Sequence, residues 1–327
     1  MIRLLAVLPF LFVGCASSSA DLKGEAAPAE TKRERDLRQA EERRRDIHTV
    51  LVRLDQAIDS YVQALSSQGE VRADQQAGTL ERSIRDMVLD QGSTKHNTKA
   101  PLSAMPPGEN YRRLQALATD GSQPAQQAIA LAALGFSGQL EMMPIILQGA
   151  QLSDAFRVDR AVLGLAILKA PSTPPGVLAA IIEKQDHPED GRVQAAWALY
   201  RIQTVTEHPA EIQACWRRFL TERRDAMPVG VLVTAVRGLG FTRDAANAEL
   251  VATFLKHPTP RVRMAATLAL ARMKAQDRVP DILALLGPQE TVQNVRLHAR
   301  KALSELAGGA DYGYDVPAWR KAFDRGH

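Results

Sequence analysis

Disulfide bonding cannot carry this fold. The 327 residues include only two cysteines, Cys15 and Cys215, and Cys15 closes an apolar leader. No intrachain disulfide framework is therefore expected, and the structure must stand on packing. Aromatic residues are also scarce, at 5%, which leaves alanine and leucine to fill the apolar positions. An excess of one charge is missing too: the formal net charge is +4, and this total makes no case for a nucleic-acid partner. The apolar run Leu4–Val13 is too short to span a bilayer as a stable helix. Catalytic signatures are absent as well. The seven histidines include no pair at i+3 or i+4 and no His-Glu dipeptide, so a metal site would need ligands from distant loops. No Gly-x-Ser-x-Gly, phosphate loop or dinucleotide fingerprint occurs.

What the chain does contain is a repeat. Apolar residues at Ala125, Val158, Val193, Val231, Val262 and Val295 recur at intervals of 31 to 38 residues. Three or four positions later stand Ala128, Ala161, Ala196, Ala235, Ala265 and Ala299; after seven come Ala132, Leu165, Tyr200, Gly238, Ala269 and Ala302. That spacing gives each segment one buried helical stripe, and the alanines let neighbouring backbones approach closely. A second register runs independently through Pro144, Pro175, Pro209, Ala245 and Pro280. Proline is tolerated in the first turn of a helix, so these positions mark second helices. Paired helices from about 109 to 311 therefore stack into an all-α solenoid.

Two stretches narrow the class. Pro258-Thr259-Pro260-Arg261-Val262-Arg263-Met264-Ala265-Ala266 and Val295-Arg296-Leu297-His298-Ala299 resemble bacterial HEAT-type repeats, with a Pro, then Val-Arg, then alanines. The closing segment 309–315 with Trp319 resembles the tail that ends such arrays, and 312–327 is expected to act as an aromatic cap. The resemblance implies a right-handed α–α superhelix. It is specific in the last two repeats and looser in the first four, where arginine is lost from the Val-Arg position.

The leader carries a different resemblance. Arg3, the run Leu4–Val13 and Leu11-Phe12-Val13-Gly14-Cys15 are similar to a bacterial lipoprotein signal peptide, although Phe12 stands where leucine is usual. The resemblance implies cleavage after residue 14 and acylation of Cys15, the palmitate-type modification that anchors such proteins stably in a membrane. Ala16, where an aspartate would signal retention, favours the outer over the inner membrane of a bacterial envelope. Residues 15–31 then read as a disordered tether. Across 32–90 the sequence predicts a helical hairpin, its first seam formed by Ile47, Leu51, Leu54, Ile58, Tyr61 and Leu65 at spacings of four and three. It could pack on itself, on the solenoid, or on a second copy as a homodimer. Residues 91–108 read as a linker.

Candidate site residues are few. Arg157, Arg192 and Arg261 each precede a register valine, and Arg263 and Arg296 follow one; together they form a ladder suited to an acidic protein partner. Pairing with loop carboxylates such as Asp190, Asp244 and Asp277 is the structural alternative. His187, His208 and His257 suggest loop and capping roles, Cys215 a buried thiol, and Gly238-Leu239-Gly240 a helix stop. The expectation is a membrane-anchored, non-enzymatic scaffold with no cofactor and no metal, binding an unknown protein. The alternative is a lyase-like HEAT protein acting on a cofactor or modified protein, for which bilin lyases are the family precedent.

Overall fold

The computed structural model describes residues 31–66, 71–90 and 108–324. The chain divides into two compact units, 1–45 and 46–327. Helix α1 (Lys32–Ser66) begins in the first and continues into the second. The described part of the first unit, 31–45, is the charged start of that helix. Gly69 and the linker at 91–107 lie outside the described residues, as do the leader and Cys15.

In the second unit α1 buries Leu51, Leu54, Ile58, Tyr61 and Ala64, the inner side of the predicted seam. Helix α2 (Val71–Leu89) buries Ile84, Val88 and Leu89, and α3 (Glu109–Thr119) buries Tyr111, Leu114 and Ala118. Six pairs follow: α4 (Pro124–Gly135) with α5 (Met143–Gly149), α6 (Ala155–Leu168) with α7 (Pro175–Glu183), and α8 (Glu189–Ile202) with α9 (Pro209–Leu220). Next come α10 (Val229–Thr242) with α11 (Ala248–Ala252), α12 (Pro260–Arg272) with α13 (Val279–Ala284), and α14 (Gln293–Leu306) with α15 (Val316–Asp324). No strand occurs among the described residues.

The two registers explain this arrangement. Helices α4, α6, α8, α10, α12 and α14 pack in succession as one layer, and α5, α7, α9, α11 and α13 each lie against the next first helix. Ala128, Ala161, Ala196, Ala235, Ala265 and Ala299 are fully buried in that layer, whereas Ala125, expected on the same stripe, is exposed in the first turn of α4. Helices α5, α7, α9 and α13 carry their proline at the first or second position; α11 has none and is preceded by a 3-10 turn, Ala245–Asn247. Trp319 of α15 is fully buried, with Tyr312 edge-on at 5.0 Å.

One expectation is corrected. Gly238 and Gly240 lie inside α10, which runs on to Thr242 and is capped by Arg243 in the left-handed region at φ 55°. Their role is close approach. A Cβ on Gly238 would fall 2.5 Å from Trp216 Nε1, and one on Gly240 would fall 2.7 Å from Ala269 Cα.

Candidate partner-binding surface

Polar side chains between repeats act as staples, and their sequence separations are one repeat long. Gln203 Nε2 donates to the Gly238 carbonyl at 3.0 Å in the next repeat, while its Oε1 accepts from Trp216 Nε1 of its own pair at 3.0 Å. Gln194 Nε2 reaches the Asp159 carbonyl at 2.7 Å, Arg217 reaches Asn247 at 2.6 Å, and Gln276 reaches the Leu306 carbonyl at 2.8 Å. Each satisfies a polar group that stacking would otherwise strand.

Most of the arginine ladder serves the same purpose. Arg192 is buried, its Nε donating to the Ile182 carbonyl at 2.7 Å and its Nη2 to Ala226 at 2.8 Å. Arg263 makes a two-pronged pair with Glu290 at 2.7 and 3.0 Å and donates to the carbonyls of His257 and Pro258. Arg157 pairs with Asp154, which caps α6, and reaches Gln127 Oε1 at 3.0 Å. Arg296 donates to the Leu286 carbonyl at 3.2 Å and lies over the Tyr314 ring at 5.1 Å. Only Arg261 of the five is exposed. The carboxylates that pair with the ladder are Asp154 and Glu290. Asp244 instead accepts from Gln213 and the Ala246 amide, and Asp277 pairs with its neighbour Arg278.

The histidines divide likewise. His208 is the N-cap residue of α9 and pairs with Glu211 at 3.1 Å; His257 Nδ1 accepts from the Thr259 amide at 3.1 Å. His187 departs from a capping role. Its side chain is buried, with Nε2 2.8 Å from Asp159 Oδ1, because α6 and α8 close over it. Burial pushes the Asp159 carboxyl up, and the bond to His187 partly restrains it. An open cleft of about 490 Å³ adjoins this pair, lined by Leu152, Val177, Ala180 and Ile181 among others, with Lys184 at its edge. Cys215 is free and buried, and burial raises its thiol above the ordinary range. Among the described residues no cluster of His, Cys, Asp or Glu could hold a metal ion, and no helix is long and apolar enough to cross a membrane.

A second surface escaped the sequence reading. Lys169, Trp197, Tyr200, Arg201 and Arg237 line one cleft of about 300 Å³ where α6, α8 and α10 meet. Tyr200 also borders a cleft of about 360 Å³ with Phe241, Arg243 and Arg272. Arg201 stacks over Trp197 at 5.0 Å, and Tyr200 meets Phe241 edge-on at 6.2 Å. Arg237 is exposed overall, but desolvation within the cleft lowers its guanidinium, opposed by Tyr200 and helped by the like charges of Arg261 and Arg272.

Taken together, the paired helices, buried alanine stripe and one-repeat staples define an all-α, HEAT-like solenoid. Residues 217–304 match the family model for HEAT repeats. A crystal structure of an engineered protein is similar at 16% identity and a TM-score of 0.46, over 82% of this chain and 71% of that one. No curated protein matches. HEAT repeats are scaffolds for protein interaction, each unit adding surface to a continuous face.

Proposed function

We propose that this chain is a lipid-anchored lipoprotein of the bacterial envelope, in which the HEAT-like array acts as a non-enzymatic scaffold for a protein partner. The carrying observation is how the polar groups are distributed. Gln127, His187, Arg192, Gln203, Asn247 and Glu290 are buried and bonded to a neighbouring repeat, which fixes the stack, while cations and aromatics on the first-helix layer remain exposed or half-buried. Such a surface is suited to binding. The lyase-like alternative calls for a pocket lined by polar groups, and most residues lining the cleft beside His187 are apolar, with Gln151, Ser153, Lys184 and His187 as its polar members. The anchor reading is supported by Leu11-Phe12-Val13-Gly14-Cys15, and the preference for the outer membrane by Ala16.

The test combines two measurements on the full chain. Labelled palmitate should enter the wild type and not Cys15→Ala, which should leave the membrane fraction. Cross-linking from the anchored protein should then recover one reproducible protein that Cys15→Ala loses. Equal membrane recovery of both chains would defeat the anchor, and no reproducible cross-link would defeat the scaffold.

A further inference from the structure

Part of the first-helix layer is already covered by a helix of the chain itself. The stretch of α1 from Asp46 onward lies on it with its apolar seam inward, Tyr61 meeting Phe136 edge-on at 5.2 Å. Polar contacts flank that seam. Arg160 Nη2 donates to Asp59 Oδ1 at 2.9 Å, and Asp55 Oδ1 sits at the same distance as an ion pair out of hydrogen-bond alignment. Burial pushes the Tyr61 hydroxyl up, and the Arg201 guanidinium is near enough to oppose that electrostatically. The layer thus accepts a helix that presents aliphatic residues and two aspartates one turn apart.

Arg201 is where that cover meets the open face. Beyond it stand Lys169, Arg237, Arg243, Arg261 and Arg272, and among the described residues none of these six cations has a carboxylate within ion-pairing distance. Helix C-termini favour cations, which accounts for Lys169, Arg201, Arg243 and Arg272, in or just past the last turns of α6, α8, α10 and α12. It does not account for Arg237, which lies within α10 with Arg261 and Arg272 as its charged neighbours. Between the cations are apolar surfaces, with Phe241 41% exposed and Trp197 and Tyr200 half-buried. Two of the chain's own charged stretches do not complement this face: 32–46 carries seven basic and five acidic residues, and 91–107 carries Lys95 and Lys99 with no acid. The stretch 16–31 is net acidic, with Asp21, Glu25 and Glu30 against Lys23, but Gly24, Pro28 and a single large aliphatic residue, Leu22, leave it without an apolar helix face.

We propose that the face of α8, α10 and α12 beside α1 docks an acidic amphipathic helix of a partner protein, in the same manner as α1 docks on α4 and α6. The inference rests on the scaffold reading and names its surface and partner chemistry. Aliphatic residues of the incoming helix pack on Tyr200 and Phe241, and its carboxylates pair with Arg237 and Arg272. Charge complementarity of this kind sets specificity and steers encounter.

The probe is a fluorescent synthetic helix with a Leu/Ile seam flanked by aspartates one turn apart, titrated against the full chain. Binding should fall at least about ten-fold in Arg237→Glu/Arg272→Glu. It should also fall when the peptide aspartates become asparagines, and should weaken with salt. An unchanged thermal transition would show that the double variant is folded. Failure of the peptide to bind, or binding indifferent to either change, overturns the proposal. So does preferential binding of a single-stranded oligonucleotide or a phosphatidylglycerol vesicle. A photo-reactive residue at position 241 or 177 of the anchored chain separates this inference from the scaffold reading. A cross-link from 241 that maps to an acidic helical segment and is lost in the double variant supports it. A protein cross-link from 177 alone leaves the scaffold standing and overturns this face, and none from either position overturns both.

Discussion

An alanine at position 135 would have to push two helices apart. Gly135 ends α4 where it crosses α6, and a Cβ there would lie 2.5 Å from Gly164 Cα, with the Gly164 carbonyl oxygen nearer still. Ordinary contact begins at 3.4 Å, so the helices must separate by about 1 Å. The obstacle is backbone, which has no rotamer to turn away. Overpacking of this kind costs about 1–3 kcal/mol, and a gap of that width also forfeits a quarter to a half of the dispersion attraction along it. Alanine returns about 1 kcal/mol through its better helix propensity. Because the obstacle is backbone the cost lies near the top of its range, about 3 kcal/mol, so the balance is a destabilisation of about 2 kcal/mol. Gly78 is the matched control: it is exposed within α2 and a Cβ there meets nothing within 4 Å. Gly78→Ala should therefore stabilise its helix by about 0.5–1 kcal/mol. Guanidinium unfolding followed by circular dichroism, with hydrogen exchange to locate the effect, checks both signs. A Gly135→Ala chain as stable as the wild type would refute the close-approach argument.

Two further outcomes follow from the polar contacts. Arg263→Ala leaves Glu290, only 6% exposed at its side chain, as a buried charge without its partner, and should cost about 3 kcal/mol or more. Replacing both residues with leucine should recover most of that loss, and equal losses in the single and double variants by denaturant titration would contradict it. At the C-terminus, the Arg300 guanidinium and the Gly313 amide hold the Asp311 carboxyl down to about 2, from an ordinary 3.8. A depressed carboxylate stabilises the fold above its ordinary value, and that contribution is lost as pH falls through about 2. The Trp319 indole resonance should shift over this window in the wild type, and an identical profile in Asp311→Asn would show that the pair does not order the cap.

The solenoid was legible because packing there demands one residue type at one spacing. A first-helix layer needs alanine where backbones approach, and that requirement repeats down the sequence. The arginines were less legible because identical sequence positions meet different neighbours. Arg192 and Arg261 both precede a register valine, yet the Ala226 carbonyl of a 3-10 turn closes over Arg192 while Arg261 faces outward. The open cationic face was hidden by register. Arg201, Arg237 and Arg272 follow Val193, Val231 and Val262 by eight, six and ten residues, so no alignment of repeats places them in one column. Gly238 and Gly240 misled for a related reason: glycine as a stop and glycine as a contact point look alike until the partner, Trp216 or Ala269, is known.

Every staple between repeats joins neighbours only, so on its own the array would come apart one pair at a time. Helix α1 is the exception. It touches Phe136 at the end of α4 and Arg160 on α6, and Tyr61 comes within electrostatic reach of Arg201 on α8. It therefore works as a splint, and the repeats beneath it should open as a single block while those from α10 onward fray separately. The cooperative half is then the N-terminal one, and the surface offered to a partner lies at the seam between the part of the molecule that holds and the part that yields.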